Sequence, residues 1–347
     1  MENLNVFQGL VKNKTEEKKY NNIKLPWVEK YRPINFDDII LDPFIKIKIN
    51  NFLENKLIPN LIITGEPGTG KTSTIMCLAK YIYDEKDYDD YILELNASDD
   101  RGLTMINNNI YPFCRKKTSG INKLIILDEC DSITSKAQHL LAKIILEFKK
   151  NTRFVFICND YTQIVESIQS LCMIIKYPRI NKLDLYNKIT YICDKENINY
   201  NEDAINNLLF VSDMDIRQTI NNLECIYYTF GCLTTEYIYK IIDKPRLIYI
   251  EKIIHCCLNG ELNNAIRITN ELYLKGFYPN DILLTFMKTL LEQNINIEES
   301  TKLKILEIIS LSYIRVNGGI DTLLQLCGCI SKIYIYMGPS NKGKLLI

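Results

Sequence analysis

Residues 65–72 read Gly65-Glu66-Pro67-Gly68-Thr69-Gly70-Lys71-Thr72, the spacing G-x-x-x-x-G-K-[ST], and Ser73 follows. That spacing suits a dense anionic ligand. Gly65, Gly68 and Gly70 allow the backbone to curl into a nest of N–H donors. Lys71 adds a full positive charge for the β/γ oxygens of a nucleoside triphosphate, and the Thr72 hydroxyl suits Mg²⁺. The chemistry expected is ATP binding with Mg²⁺, with the helix after Thr72 aiming its N-terminal dipole at the phosphates.

A second acidic group follows the apolar run LIIL: Asp128-Glu129-Cys130-Asp131. At the end of a strand beside a phosphate loop, Asp128 is expected to hold Mg²⁺ through water. Glu129 is expected to polarise the attacking water. The same acids also suit the first turn of a helix. Asn159 ends the run FVFIC, where a short amide orients water; a turn asparagine is the plainer reading. Arg217 starts a helical pattern and is expected to reach the γ-phosphate; an i,i+4 surface pair is its alternative.

The elements that must position these residues are legible as two kinds of pattern. LIIT (61–64), YILEL (91–95), LIIL (124–127), FVFIC (154–158) and CMIIKY (172–177) are too short for helices and alternate with helical stretches. This predicts βαβ units and a buried parallel sheet. After Pro178 the strands are expected to stop. Helices are predicted over 183–196, 201–211 and 213–230, then over 246–259, 262–275, 280–293, 299–316 and 320–336. The fold class is α/β plus α. The expected organisation is a mobile extension at 1–24, an α/β nucleotide-binding domain at 25–180, a helical lid at 181–244 and a helical domain at 245–340.

Lys plus Arg and Asp plus Glu both number 42, which excludes a generally basic nucleic-acid coat. Nucleic-acid contact therefore needs a local basic face or partners. No apolar run reaches membrane-spanning length, and the first residues lack a signal layout, so a reducing compartment, cytosol or nucleus, is expected. The twelve cysteines include no C-x-x-C pair, and two histidines offer little for zinc. Buried free thiols are the expectation.

Taken together, the motifs resemble the small subunits of replication factor C, the AAA+ sliding-clamp loader. The matching pieces are LPWVEKYRP (25–33), GEPGTGKT (65–72), ELNASDDRG (94–102), LDECDSIT (127–134), RFVFICN (153–159) and DIRQTINNLE (215–224). The resemblance runs from about residue 25 to about 336. DIRQTINNLE and YIRVNGGIDTLLQLCGCISKIY look closest to the small subunit beside the large subunit. The resemblance implies a nuclear hetero-pentamer with four other clamp-loader subunits, which opens a ring clamp and loads it onto primer–template DNA using ATP. It also implies that Tyr31, Arg32 and Pro33 line the adenine pocket, and that the C-terminal helices form an oligomerisation collar.

Two departures stand out. Family members of this kind carry Ser-Arg-Cys before the fifth strand, its arginine reaching a neighbour's ATP site; here the residues are Ser170-Leu171-Cys172. Arg179 is a poorly placed substitute. The helix after DDRG usually offers basic residues to template phosphates, yet here it has Asn107 and Tyr111, and Ala142 stands where the following helix is usually basic. Arg101, Lys143, Arg115, Lys116 and Lys117 remain as DNA candidates. Competing readings are a nucleotide-binding structural subunit with little hydrolysis, and another AAA+ machine acting on DNA.

Overall fold

The computed structural model describes residues 25–33, 35–55, 57–83, 88–98, 102–116, 122–242, 244–292 and 297–337. The chain forms two compact units, one ending at Leu233 and one starting at Thr234. The expected N-terminal extension lies outside the described residues.

The first unit is built on a parallel sheet. Its strands are β1 (Leu61–Gly65), β2 (Ile92–Asn96), β3 (Lys123–Asp128), β4 (Thr152–Cys158) and β5 (Met173–Tyr177), in the order β2-β3-β4-β1-β5. All five predicted runs are strands, each within two residues of its expected limits. Successive side chains leave opposite faces; the inner strands β3, β4 and β1 are covered on both and are largely apolar, whereas the edge strands β2 and β5 carry exposed residues such as Glu94 and Lys176. Ile62, Ile125, Leu127, Phe154 and Phe156 pack on one face with Met105, Ile110, Leu141 and Ile145. Leu61, Ile63, Leu124, Ile126, Val155 and Ile157 pack on the other with Ile45, Ile49, Ile75 and Leu78. Leu61 registers with Val155 on one side and Met173 on the other. The C-terminal ends of β3, β4 and β1 therefore lie side by side, and they carry Asp128, Asn159 and Gly65.

The helical stretch Leu103–Arg115 widens into a π turn at Ile106–Ile110. Pro112 follows, with no N–H to return to the preceding turn, and widening accommodates it. Lys123 opens β3 fully buried and donates to the carbonyls of Phe113 (2.6 Å), Cys114 (3.2 Å) and Lys116. It satisfies the carbonyls at the end of that helix with an ammonium group. Burial lowers its pKa.

Helices Lys182–Lys195, Glu202–Val211 and Ile216–Phe230 complete the first unit. The third starts three residues later than predicted. Asp213 and Met214 are left-handed, with φ of 56° and 59°, and Asp215 is the true N-cap. The strands also do not stop entirely: Asn199–Tyr200 pairs in parallel with Cys232–Leu233. Two residues per strand are too few for a periodicity signal.

The second unit consists of helices Thr235–Ile241, Leu247–Asn259, Leu262–Leu274, Pro279–Glu292, Glu299–Asn317 and Leu323–Met337. The first was not predicted from sequence. Ile250, Ile254, Phe286, Leu290, Ile309 and Ile330 are central to its core. All twelve cysteines are free thiols, and only Cys225 is exposed. Among the described residues, no helix is long and apolar enough to cross a membrane.

Candidate functional site

The phosphate loop joins β1 to the helix Lys71–Ile82. Gly65, Gly68 and Gly70 have φ of 156°, 75° and 84°, a backbone that side chains disfavour. Space forbids a side chain as well. A Cβ on Gly65 would meet the Tyr177 carbonyl at 2.6 Å, and one on Gly68 would meet Asp215 Oδ1 at 2.2 Å. Lys71 is 8% exposed. Its Nζ donates to the Gly65 carbonyl (2.6 Å), the Glu66 carbonyl (2.8 Å) and Asn159 Oδ1 (3.1 Å). Burial lowers its pKa, partly offset by the Asp128 charge. An ammonium ringed by carbonyls at a helix N-terminus fits a polyphosphate well, because it adds the charge that backbone N–H groups lack.

Thr72 Oγ1 donates to Asp128 Oδ2 at 2.8 Å. A hydroxyl and a carboxylate so joined are a hard-oxygen pair suited to Mg²⁺. Glu129 follows Asp128 in the left-handed region, φ 53° and ψ 42°, and its N–H donates to Asp128 Oδ1 at 2.9 Å. This is an unusual conformation for a glutamate, and its side chain is exposed. Asn159 is fixed by its backbone. Its carbonyl accepts from Thr64 Oγ1 at 3.0 Å, and its N–H donates to Asp131 Oδ2 at 3.3 Å. Cys158 beside it is inert, its thiol pushed up to about 11 by burial.

A cavity of about 320 Å³ adjoins the loop. Tyr31, Arg32 and Pro33 line it together with Gly68, Thr69, Gly70, Ser73 and Arg217. The residues expected at the base thus share one space with part of the phosphate loop and Arg217, while Lys71, Thr72, Asp128, Glu129 and Asn159 are not among its lining. Arg217 lies in the first turn of its helix; its N–H donates to Asp215 Oδ1 at 2.8 Å, and Gln218 N–H does so at 3.3 Å. Glu66 and Pro67 are exposed on the outside of the loop.

Arg179 is engaged within its own chain: its Nε donates to Glu66 at 2.7 Å. Leu171 is half-buried against the sheet core, and its carbonyl accepts from Asn60 Nδ2 at 3.5 Å. Of the DNA candidates, Arg101 and Lys117 lie outside the described residues. Lys143 is exposed on the helix Ser135–Glu147. Arg115 sits 4.5 Å over the Tyr111 ring, and Lys116 pairs with Asp90 at 2.5 Å. Tyr111 also meets Phe148 edge-on at 5.7 Å, so the helices bearing Arg115 and Lys143 lie on the same sheet face. Ala142 is buried in that core.

Sequence reasoning missed Asp215, Asp131 and Glu196. Asp215 was legible, since Asp215-x-x-Gln218 has the form of a capping box. Glu196 was not; it receives hydrogen bonds from Lys30 and Tyr31, far away in sequence.

Residues 61–178 match the ATPase family associated with various cellular activities, and residues 245–332 match the replication factor C C-terminal domain. A replication factor C small subunit from Acanthamoeba polyphaga mimivirus is 37% identical over 310 residues, 89% of this chain and 96% of that protein. The chain belongs to the replication factor C small subunits. Subunit 2 from Dictyostelium discoideum is 36% identical, over 89% of this chain and 92% of its own. Human subunit 5 is 34% identical, over 90% and 92%. A Thermotoga maritima RuvB structure aligns with TM-score 0.51 at 15% identity, covering 65% of this chain and 78% of that one, which speaks to fold alone. The chain is a P-loop ATPase of a multi-subunit clamp-loader family.

Proposed function

We propose that the chain binds ATP with Mg²⁺ in the cavity between Tyr31–Pro33 and the phosphate loop. In this reading it hydrolyses ATP as one subunit of a five-membered loader that opens a ring clamp and sets it on primer–template DNA. One observation carries the proposal: Lys71, Thr72, Asp128, Glu129 and Asn159 converge at the adjacent ends of β1, β3 and β4.

The chemistry follows from charge. Phosphoryl transfer spreads negative charge over the γ-phosphate oxygens, and stabilising that charge is most of the catalysis. Lys71 and the loop N–H groups supply fixed positive potential. Thr72, and Asp128 through water, would hold Mg²⁺, which would supply further neutralisation. Glu129, on an exposed turn, accepts the proton of the attacking water while Asn159 holds that water in line. Arg217 reads the γ-phosphate from the helical segment, so triphosphate and diphosphate favour different settings of that segment.

The domain assignment is a lid over 181–244 and a collar over 245–340, with the first 24 residues as an extension. Exposed apolar residues support a collar that packs against equivalents: Leu303, Leu311 and Ile314 recur along one helix at 63%, 50% and 65% exposure. DNA is contacted by Lys143, Arg115, Lys116, Arg101 and Lys117 and stimulates turnover. The chain occupies the place beside the large subunit and works in the nucleus.

Copurification of the tagged chain from its source, with mass identification of partners, tests the assembly. Recovery of four loader-like subunits is expected. Recovery of the chain alone overturns it.

A further inference from the structure

We propose that Glu196 is a positioning residue for nucleotide recognition: one carboxylate, accepting from both Lys30 Nζ and the Tyr31 hydroxyl, holds the segment that walls the base end of the cavity. The inference rests on the ATP reading above and adds a residue to it.

The segment Trp27–Pro33 is anchored at both ends. Trp27 is buried, its N–H donates to Glu224 Oε2 at 2.9 Å, and its ring lies 5.3 Å from Tyr227 and 6.0 Å from Tyr228. Lys30 Nζ meets Glu196 Oε1 at 2.5 Å, and the Tyr31 hydroxyl donates to the same oxygen. Beyond them, Cys77 Sγ donates to the Pro33 carbonyl at 3.5 Å, tying the segment to the helix that follows the phosphate loop. Between these anchors, Tyr31, Arg32 and Pro33 line the cavity with Gly68, Gly70 and Arg217.

Glu196 occupies a costly place. It is the C-cap of the helix Lys182–Lys195, where unpaired carbonyls already concentrate negative potential. Helix stability does not explain a carboxylate there, whereas the two donors from the cavity wall do. Its side chain is 16% exposed, so the interaction is sheltered from much of the solvent screening that weakens surface pairs. Burial and the Glu196 carboxylate both raise the Tyr31 pKa, so the hydroxyl stays a donor at any physiological pH. Losing the Glu196 anchor frees Tyr31 to take other rotamers, and the base then has to order the wall on binding. The phosphates, bound by Lys71 and the loop, are indifferent to that wall.

The test is equilibrium binding to the assembled complex of two probes, ATP and inorganic tripolyphosphate, which lacks base and ribose. Glu196→Ala, Tyr31→Phe and the double variant are compared with wild type. Glu196→Ala is expected to weaken ATP about 3- to 10-fold, the scale of one net hydrogen bond. Tripolyphosphate affinity is expected to stay unchanged, and the double variant to be no worse than Glu196→Ala. Unchanged ATP affinity overturns the proposal, and so does equal weakening of both probes, which means general loosening. A wild-type complex that binds neither probe overturns the ATP reading beneath it instead.

Discussion

Thr72, in the first turn of the helix after the phosphate loop, and Asp128, at the end of β3, are joined: the threonine hydroxyl donates to the Asp128 carboxylate at 2.8 Å. The two side chains come from separate motifs and meet because only β4 lies between β3 and β1, the strand that leads into the phosphate loop and its helix. Metal affinity should therefore depend on both. Asp128→Asn keeps the size and loses the charge. The Mg²⁺ concentration for half-maximal ATP turnover should rise about 10- to 100-fold, the usual cost of removing a group that orients a metal's ligands. A metal titration of turnover checks it, and an unchanged midpoint rules Asp128 out as a metal-site residue.

Glu129 should matter for hydrolysis and not for binding. Glu129→Gln preserves the left-handed turn's side-chain size but cannot accept a proton. Turnover should fall by about 10²- to 10⁴-fold with ATP affinity retained. Single-turnover kinetics beside equilibrium binding separate the two. Unchanged turnover leaves Glu129 as a turn residue only.

How much of this was legible beforehand differs by element. The five strands were: the inner runs are short and largely apolar because both their faces are buried, the edge runs keep short β-rich stretches, and the polar ends mark where ligands gather. The left-handed Glu129 and the π turn before Pro112 were not, since neither has a periodicity. The Glu196 anchor spans 165 residues and the Trp27–Glu224 bond 197, beyond any local signal. Arg179 read in sequence as a poorly placed substitute for the arginine missing at 171, and its pairing with Glu66 appears only once β5 lies beside β1.

Lys143 is exposed on the helix Ser135–Glu147, and the proposed DNA interface assigns it one phosphate contact. Lys143→Ala should weaken DNA binding similarly for all sequences. The slope of log affinity against log salt should flatten by about one unit. A salt series by fluorescence anisotropy measures it, and an unchanged slope removes Lys143 from the interface.

Leu171 stands where the family resemblance implies an arginine for the neighbouring ATP site. An apolar side chain gives no compensation to developing phosphate charge. Leu171→Arg should raise ATP turnover of the reconstituted complex. The side chain is half-buried, so the exchange also costs some packing, and thermal melting should show a modest drop. A fall in both turnover and clamp loading, with melting nearly unchanged, means that Leu171 shapes an interface instead.

The central claim is that nucleotide held by this chain drives clamp loading. Lys71 is its most exposed point, since the ammonium sits among the Gly65 and Glu66 carbonyls with Asn159 and supports no apolar core. The decisive measurement is clamp loading onto primed DNA by the five-subunit complex carrying Lys71→Ala in this subunit alone. The account predicts that the complex assembles and that loading falls at least about tenfold, as expected from losing a charge-assisted phosphate contact. Loading at the wild-type rate by an assembled Lys71→Ala complex would contradict it.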